Sequence, residues 1–126
     1  MKRLACVLFA LSACGGDDGP HQQAIPDAFV STNKVMAVTC PTAVDGMVTV
    51  NAGGTAFVPM TQTVAANSVV KFVMTATHNA QPNTQTTTDP GINVGFGETK
   101  CLKFTTAGTF GFFCSAHGFN GTITVQ

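Results

Sequence analysis

Cys114 and His117 lie three positions apart, on a short segment between two runs of β-forming residues near the C-terminus. A thiol and an imidazole at this spacing can place sulfur and nitrogen on one metal ion without helical geometry. The pair is weak evidence by itself, because a Cys-x-x-His spacing often arises by chance. A metal site therefore requires a third ligand and a rigid frame from the rest of the chain.

His78 is the candidate for that third ligand, because it follows the strongest predicted strand. Of the other two histidines, His117 is already in the pair, and His21 lies in a polar segment where a solvated side chain is expected. A lone histidine at a strand end is more often a surface residue bonded to water. With Cys114 and His117, however, His78 completes two imidazoles and one thiolate. That set suits copper, whereas zinc usually takes a fourth strong ligand.

The elements that must position these residues are predicted to be strands. Runs rich in Val, Thr and Phe alternate with turn residues about every eight to twelve positions. They span residues 35–40, 47–50, 57–60, 63–64, 69–74, 100–105, 109–114 and 122–125. No window shows a sustained helical period, so the pattern predicts an all-β sandwich with helix absent or confined to a turn.

Ala107 and Gly108 predict a hairpin turn between the runs 100–105 and 109–114. Within these runs a period of two predicts four core-facing side chains: Leu102, Phe104, Phe110 and Phe112. Cys101 is then predicted to point away from the core. Pro59 predicts that the run 57–60 is an edge strand or a bend, because proline cannot donate to a sheet ladder.

The N-terminus has the layout of a secretory signal. Lys2 and Arg3 precede an apolar run that is too short to span a bilayer, which takes about 20 residues. Residues 11–14, from Leu11 to Cys14, resemble a bacterial lipobox, in which the cysteine becomes the lipid-modified first residue. The alternative is ordinary cleavage near Ala13. We expect a signal peptide at 1–13, a lipidated flexible tether at 14–33 and one folded domain at 34–126, in a periplasmic or outer-membrane lipoprotein of a bacterial cell envelope.

Composition limits the possible partners. Only 10% of the residues are charged, and without Lys2 and Arg3 four lysines oppose six acidic residues, which leaves −2. Nucleic-acid binding needs a surface rich in basic residues, and this net charge does not indicate one. We expect contact with a membrane only through the lipid at Cys14.

The five cysteines divide unevenly. Cys6 leaves with the signal and Cys14 carries lipid, so Cys40, Cys101 and Cys114 remain in an oxidising compartment. We predict a disulfide between Cys40 and Cys101, which leaves Cys114 for the metal. A free thiol at Cys101, or a pair that uses Cys114, remains an alternative.

From Phe57 onward the chain resembles the cupredoxins, of the plastocyanin and amicyanin kind. The shared motifs are Phe57-x-Pro59 before Val64 and Asn67, Val70-x-Phe72, His78-Asn79, Gly97-Glu98-Thr99, Ala107-Gly108-Thr109-Phe110-x-Phe112-Phe113-Cys114-Ser115-x-His117, and Gly121-Thr122-Ile123-Thr124-Val125. The resemblance implies a Greek-key β-sandwich with ligands on loops at one end. It also implies one type 1 copper per chain, with His78, Cys114 and His117 as equatorial ligands, and one-electron transfer.

One position departs from that family. Relatives usually carry an axial Met a few residues after the second ligand histidine, but here Phe119 takes its place, with Asn120 beside it. Phe119 is then an apolar lid over a nearly three-coordinate copper, or the Asn120 amide oxygen approaches the metal. The apolar lid predicts a higher reduction potential than in Met-ligated relatives. The resemblance also implies that Asn79 ties the two ligand loops together.

These residues favour an electron carrier over an enzyme. The chain lacks the His-Cys-His tripeptide of multicopper oxidases, and its ligand loop lacks the second cysteine of a binuclear centre. We expect a monomer whose redox partners dock near His117 and Phe119 through a brief, weak contact. The alternative is a copper storage or delivery protein of the cell envelope.

Overall fold

The computed structural model describes residues 33–85 and 88–126, and these contain nine strands and no helix. The strands are β1 (Val35–Val38), β2 (Gly46–Val50), β3 (Phe57–Val58), β4 (Thr61–Val64), β5 (Ser68–Val73), β6 (Gln81–Pro82), β7 (Thr99–Phe104), β8 (Gly108–Phe113) and β9 (Asn120–Val125). Residues Asn33–Gln126 form one compact unit. The predicted signal peptide and residues 14–32 of the predicted tether, Cys14 among them, fall outside the described residues.

The strands form two sheets, which confirms the predicted all-β sandwich. One sheet has the order β1-β7-β5-β2-β3 and the other the order β4-β9-β8-β6. Most neighbours are antiparallel, but β2 runs parallel to β5 and β4 parallel to β9. Alternate side chains of each strand fill the space between the sheets, as in β5, where Ser68, Val70 and Phe72 are buried.

The predicted hairpin between the runs 100–105 and 109–114 is wrong. Strand β7 pairs with β1 and β5, whereas β8 pairs with β6 and β9, so the turn at Ala107 crosses from one sheet to the other. Phe104 and Phe110 therefore meet across the core, with ring centroids 5.5 Å apart. The predicted core positions are nevertheless correct, because Leu102 and Phe112 are fully buried as well.

Pro59 marks the point where the chain changes sheets. Strand β3 ends at Val58 on the edge of the first sheet, and β4 begins at Thr61 on the edge of the second. This confirms the prediction of an edge or bend, because the residue without an N–H lies between two ladders and interrupts neither.

Cys40, just after β1, is joined to Cys101 in β7 by a disulfide with an S–S distance of 2.05 Å. Cys101 is buried but is not part of the hydrophobic core cluster. Across residues 33–85 and 88–126, no helix is long and apolar enough to cross a bilayer.

Candidate metal centre

The predicted ligands lie on two loops, one from each sheet. His78 follows β5, and its backbone N–H donates to Thr75 O at 2.9 Å in a tight turn. Cys114 and His117 lie between β8 and β9, where Cys114 N–H donates to Phe119 O at 2.9 Å and Gly118 N–H donates to Cys114 O at 2.8 Å. Gly118 adopts φ 78°, a left-handed conformation that glycine reaches without a Cβ clash. Both loops are thus closed by their own backbone hydrogen bonds.

Asn79 joins the two loops through Ser115. The Asn79 Oδ1 accepts the Ser115 backbone N–H at 2.9 Å, and the Asn79 Nδ2 donates to Ser115 Oγ at 2.9 Å. Asn79 is only 5% exposed, whereas Ser115 is exposed, so these bonds tie a buried amide to a surface loop. Because Asn79 follows His78 and Ser115 follows Cys114, the bonds fix one candidate ligand relative to another.

Cys114 and His117 form a close pair. The Cys114 sulfur lies 3.6 Å from His117 Nδ1. Cys114 is completely buried and is the free cysteine of the described residues, whereas His117 is exposed. A buried thiol beside an imidazole nitrogen supplies two donors that copper favours, and the exposed imidazole gives that pair an edge in solvent.

His78 stacks on His117, with ring centroids 4.6 Å apart and an interplanar angle of 26°. Its Nε2 lies 3.1 Å from Gly54 O, and its Nδ1 lies 2.7 Å from Thr75 Oγ1 and 3.0 Å from Thr77 Oγ1. A carbonyl oxygen can only accept, so Nε2 carries the proton and Nδ1 accepts from the threonine hydroxyls. In this tautomer Nδ1 is the ring atom whose lone pair could bind a metal ion.

The three candidate ligands come together without forming a finished site. Within residues 33–85 and 88–126, no three His, Cys, Asp or Glu side chains converge closely enough to hold a metal ion as they stand. The Nδ1 atom of His78 is already occupied, because it accepts hydrogen bonds from the hydroxyls of Thr75 and Thr77. The donor types of His78, Cys114 and His117 fit copper. For the set to close on one ion, the His78 Nδ1 must leave the threonine hydroxyls.

Phe119 lies beside both imidazoles, with its ring centroid 5.6 Å from that of His78 and 6.2 Å from that of His117. The adjacent Asn120 is exposed and turns its amide elsewhere. Its Oδ1 accepts from Asn83 Nδ2 at 2.8 Å, and its Nδ2 donates to Gly118 O at 3.3 Å. In this structure an apolar ring, and not an amide oxygen, faces the candidate ligands.

Gly54 is a site residue that the sequence analysis missed. It belongs to the turn between β2 and β3, where Asn51 Oδ1 accepts the Thr55 N–H at 2.8 Å. Gly54 has φ 66°, and a Cβ there would lie 3.1 Å from Cε1 and Nε2 of His78. The available signal was the Gly53-Gly54 pair, which permits both the positive φ and a close approach of backbone to a side chain.

A third turn, at residues 95–98, supports the His78 loop. Gly97 N–H donates to Thr75 O at 2.9 Å, while Glu98 Oε2 accepts the Gly95 N–H at 2.6 Å. That backbone N–H, followed by the nearby Lys100 ammonium, lowers the pKa of Glu98 below its ordinary value. The carboxylate form therefore stabilises the turn on which the His78 loop rests.

Solved structures share the fold: amicyanin from Paracoccus versutus is 18% identical, with a TM-score of 0.53 over 75% of this chain and 99% of its own. Pseudoazurin from Hyphomicrobium denitrificans is 22% identical, with a TM-score of 0.52 over 64% of this chain and 73% of its own.

The sequence comparisons are more specific. Plastocyanin from Scenedesmus fuscus is 58% identical over 33 residues, 24% of this chain, and the match spans only 34% of the plastocyanin. The family model of copper binding proteins of the plastocyanin/azurin family matches residues 44–126, well over half of the chain. The chain therefore belongs to the plastocyanin/azurin family of copper-binding proteins, and its cofactor is copper.

Proposed function

We propose that this chain carries single electrons through one copper bound by His78 Nδ1, Cys114 Sγ and His117 Nδ1. The observation that carries the proposal is the buried Cys114 thiol, 3.6 Å from His117 Nδ1 and outside any disulfide. When bound there, copper would cycle between Cu(I) and Cu(II), with the thiolate favouring Cu(I) and the imidazoles serving both states.

The chain's contribution is to limit movement around the donors. The hydrogen bonds between Asn79 and Ser115 hold the two ligand loops at one separation. The Gly54 carbonyl keeps the proton of His78 on Nε2, so that Nδ1 is available as a donor. Each contact involves a backbone group or a buried side chain, so once His78 Nδ1 has exchanged the threonine hydroxyls for copper, these contacts would limit movement of the donors during electron transfer.

His117 offers the route by which an electron would leave or enter. It is exposed, and the segment Ser115–Gly118 around it contains no charged residue. Phe96, on the turn that supports the His78 loop, is 53% exposed. We infer that redox partners dock near His117 and Phe119, where the segment 115–118 is uncharged, through a small and short-lived contact.

The decisive experiment is a visible spectrum of the protein with added Cu(II). A cysteine thiolate in a trigonal copper site gives an intense band at about 600 nm, so the wild type is expected to turn blue. Cys114→Ala should abolish the band, and His78→Ala or His117→Ala should bleach or shift it. His21→Ala is the matched control, because His21 lies outside the domain and should leave the spectrum unchanged. A colourless wild type, or a blue Cys114→Ala variant, would refute the assignment.

We further propose that the domain works in the bacterial cell envelope, anchored by lipid on Cys14. This rests on residues 1–14, whose basic start, short apolar run and terminal cysteine fit a lipoprotein signal. Cys14→Ser should release the protein from the membrane fraction without altering its spectrum. An unchanged membrane association would argue against the anchor.

A further inference from the structure

Gly121 is placed where no other residue would fit. It lies directly opposite Phe112 across the β8–β9 ladder, and both residues are buried. A Cβ on Gly121 would overlap the Cζ atom of Phe112 and would lie 3.1 Å from Cδ2 of Phe57. The rings of Phe112 and Phe57 thus occupy the space that a side chain at residue 121 would take, and they lie against the backbone of Gly121.

From this point a series of ring contacts leads to the metal centre. The centroids of Phe57 and Phe112 are 4.8 Å apart at an angle of 60°, and those of Phe57 and Phe119 are 4.7 Å apart at 72°. Edge-to-face contacts at these distances are favourable and directional. The orientation of Phe119 therefore depends on Phe57, which in turn depends on Phe112.

Phe119 is the last ring of the series and the one that faces the ligands. It is half-buried against the core, its ring lies beside His78 and His117, and its carbonyl accepts the N–H of Cys114. The fully buried Cys114 lies in the same core cluster. Phe119 thus forms a wall between solvent and the inner side of the ligand set.

We propose that Gly121, Phe112 and Phe57 are positioning residues that hold Phe119 against the imidazoles and so exclude water from the inner side of the metal centre. This deepens the proposed function and rests on it. In this chain a packed aromatic series takes the place that a side-chain donor would fill, and the space left by Gly121 makes the packing possible.

The test measures access to Cys114 in the copper-free, full-length protein. A thiol reagent is applied, and labelling is followed at the Cys114 peptide by mass spectrometry, which separates it from Cys6 and Cys14. Phe57→Leu should loosen the wall and raise the labelling rate about tenfold or more through local opening. Gly121→Ala should do the same through overcrowding, and Phe57→Leu remains decisive if that variant fails to fold.

Phe110→Leu is the matched control. It removes an equally buried ring on the same strand as Phe112, but its ring contact is with Phe104 and not with the series that leads to Phe119. Its labelling rate should rise only in proportion to its loss of global stability, measured by urea unfolding, and should increase further with urea, since only global unfolding exposes Cys114. The labelling rate of Phe57→Leu should be nearly independent of low urea concentrations.

The proposal is overturned if Phe57→Leu and Phe110→Leu label at equal rates after each rate is corrected for the variant's loss of global stability, or if both rates rise with urea to the same degree. The copper spectrum keeps the two hypotheses apart. A wild type that stays colourless would refute the electron-transfer proposal while leaving the labelling result intact. A blue wild type with equal labelling in the two variants would refute only the positioning role.

Discussion

Three contacts between Asn79 and Ser115 join the loop that follows β5 to the loop between β8 and β9. Asn79 Oδ1 accepts from both the backbone N–H and the hydroxyl of Ser115, at 2.9 and 3.1 Å, while Asn79 Nδ2 approaches the same hydroxyl at 2.9 Å. A buried carboxamide that satisfies a backbone donor this way is difficult to replace, because the N–H would lose its partner.

Asn79→Leu should therefore destabilise the copper-free protein by about 2 kcal/mol, since the Ser115 N–H loses its partner and meets an apolar side chain instead. Ser115→Ala keeps that N–H bond and loses only the hydroxyl contacts, so its cost should be about 1 kcal/mol or less. Urea unfolding followed by circular dichroism measures both. Equal losses in the two variants would mean that the backbone bond contributes little.

The Cys40–Cys101 disulfide closes a loop with a sequence separation of 61 residues. In the chain-entropy model, its removal should lower the free energy of unfolding by about 4 kcal/mol. The double variant Cys40→Ala/Cys101→Ala tests this in urea, without the ambiguity of partial reduction. The blue band should remain at the same wavelength, because neither cysteine lies among the candidate ligands. A shifted band would show that the disulfide also shapes the metal centre.

Glu98 gives the stability of the domain a pH dependence with a definite sign. The Gly95 N–H and Lys100 lower its pKa in the folded state below the value of 4.5 for a free side chain. Its contribution is therefore fully present above pH 4.5 and is lost as the pH falls through the lower folded-state pKa.

Glu98→Gln should lower the melting temperature at pH 7, and the difference from wild type should shrink as the pH falls below 4.5. The loss at pH 7 should stay under about 1 kcal/mol, because a partly exposed carboxylate is screened by water. Lys103→Gln changes the net charge by one unit in the opposite direction, and its difference from wild type should not shrink below pH 4.5 in this way. A difference that persists unchanged at acid pH would contradict the role of the carboxylate.

Much of the architecture could be predicted from local pattern. Every second side chain of a strand points to the same face, and this rule predicts the burial of Val70, Phe72, Phe104 and Phe110. The hairpin error has the same origin. Ala107 and Gly108 indicate a turn, but a turn signal does not say whether the next strand pairs with the last one or crosses to the facing sheet.

The details of the candidate site depended on contacts distant in sequence. Gly54 lies 24 residues before His78, yet its carbonyl receives the His78 Nε2 proton. The threonine hydroxyls that occupy Nδ1 are close in sequence, but only the folded turn shows which ring nitrogen they reach. The donor types could thus be predicted from the residues present, whereas their orientation is set by tertiary packing.

Phe119→Met provides the most direct test of the apolar wall. The Phe119 ring faces both imidazoles, so a thioether there would bring a soft donor to the place that the ring occupies. If copper is bound as proposed, a fourth ligand stabilises Cu(II), which takes more ligands than Cu(I), and this outweighs the softness of the thioether, so the reduction potential should fall. A tenfold change in the ratio of the two affinities corresponds to about 59 mV, which voltammetry resolves easily.

Phe119→Leu is the matched control for this experiment, because it changes the volume of the side chain without adding a donor. Its potential should stay close to that of the wild type, while the potential of Phe119→Met falls by about 60 mV or more. Equal potentials in the two variants would show that residue 119 does not approach the metal. A higher potential in Phe119→Met would contradict the expectation that the wild-type copper lacks a soft axial donor.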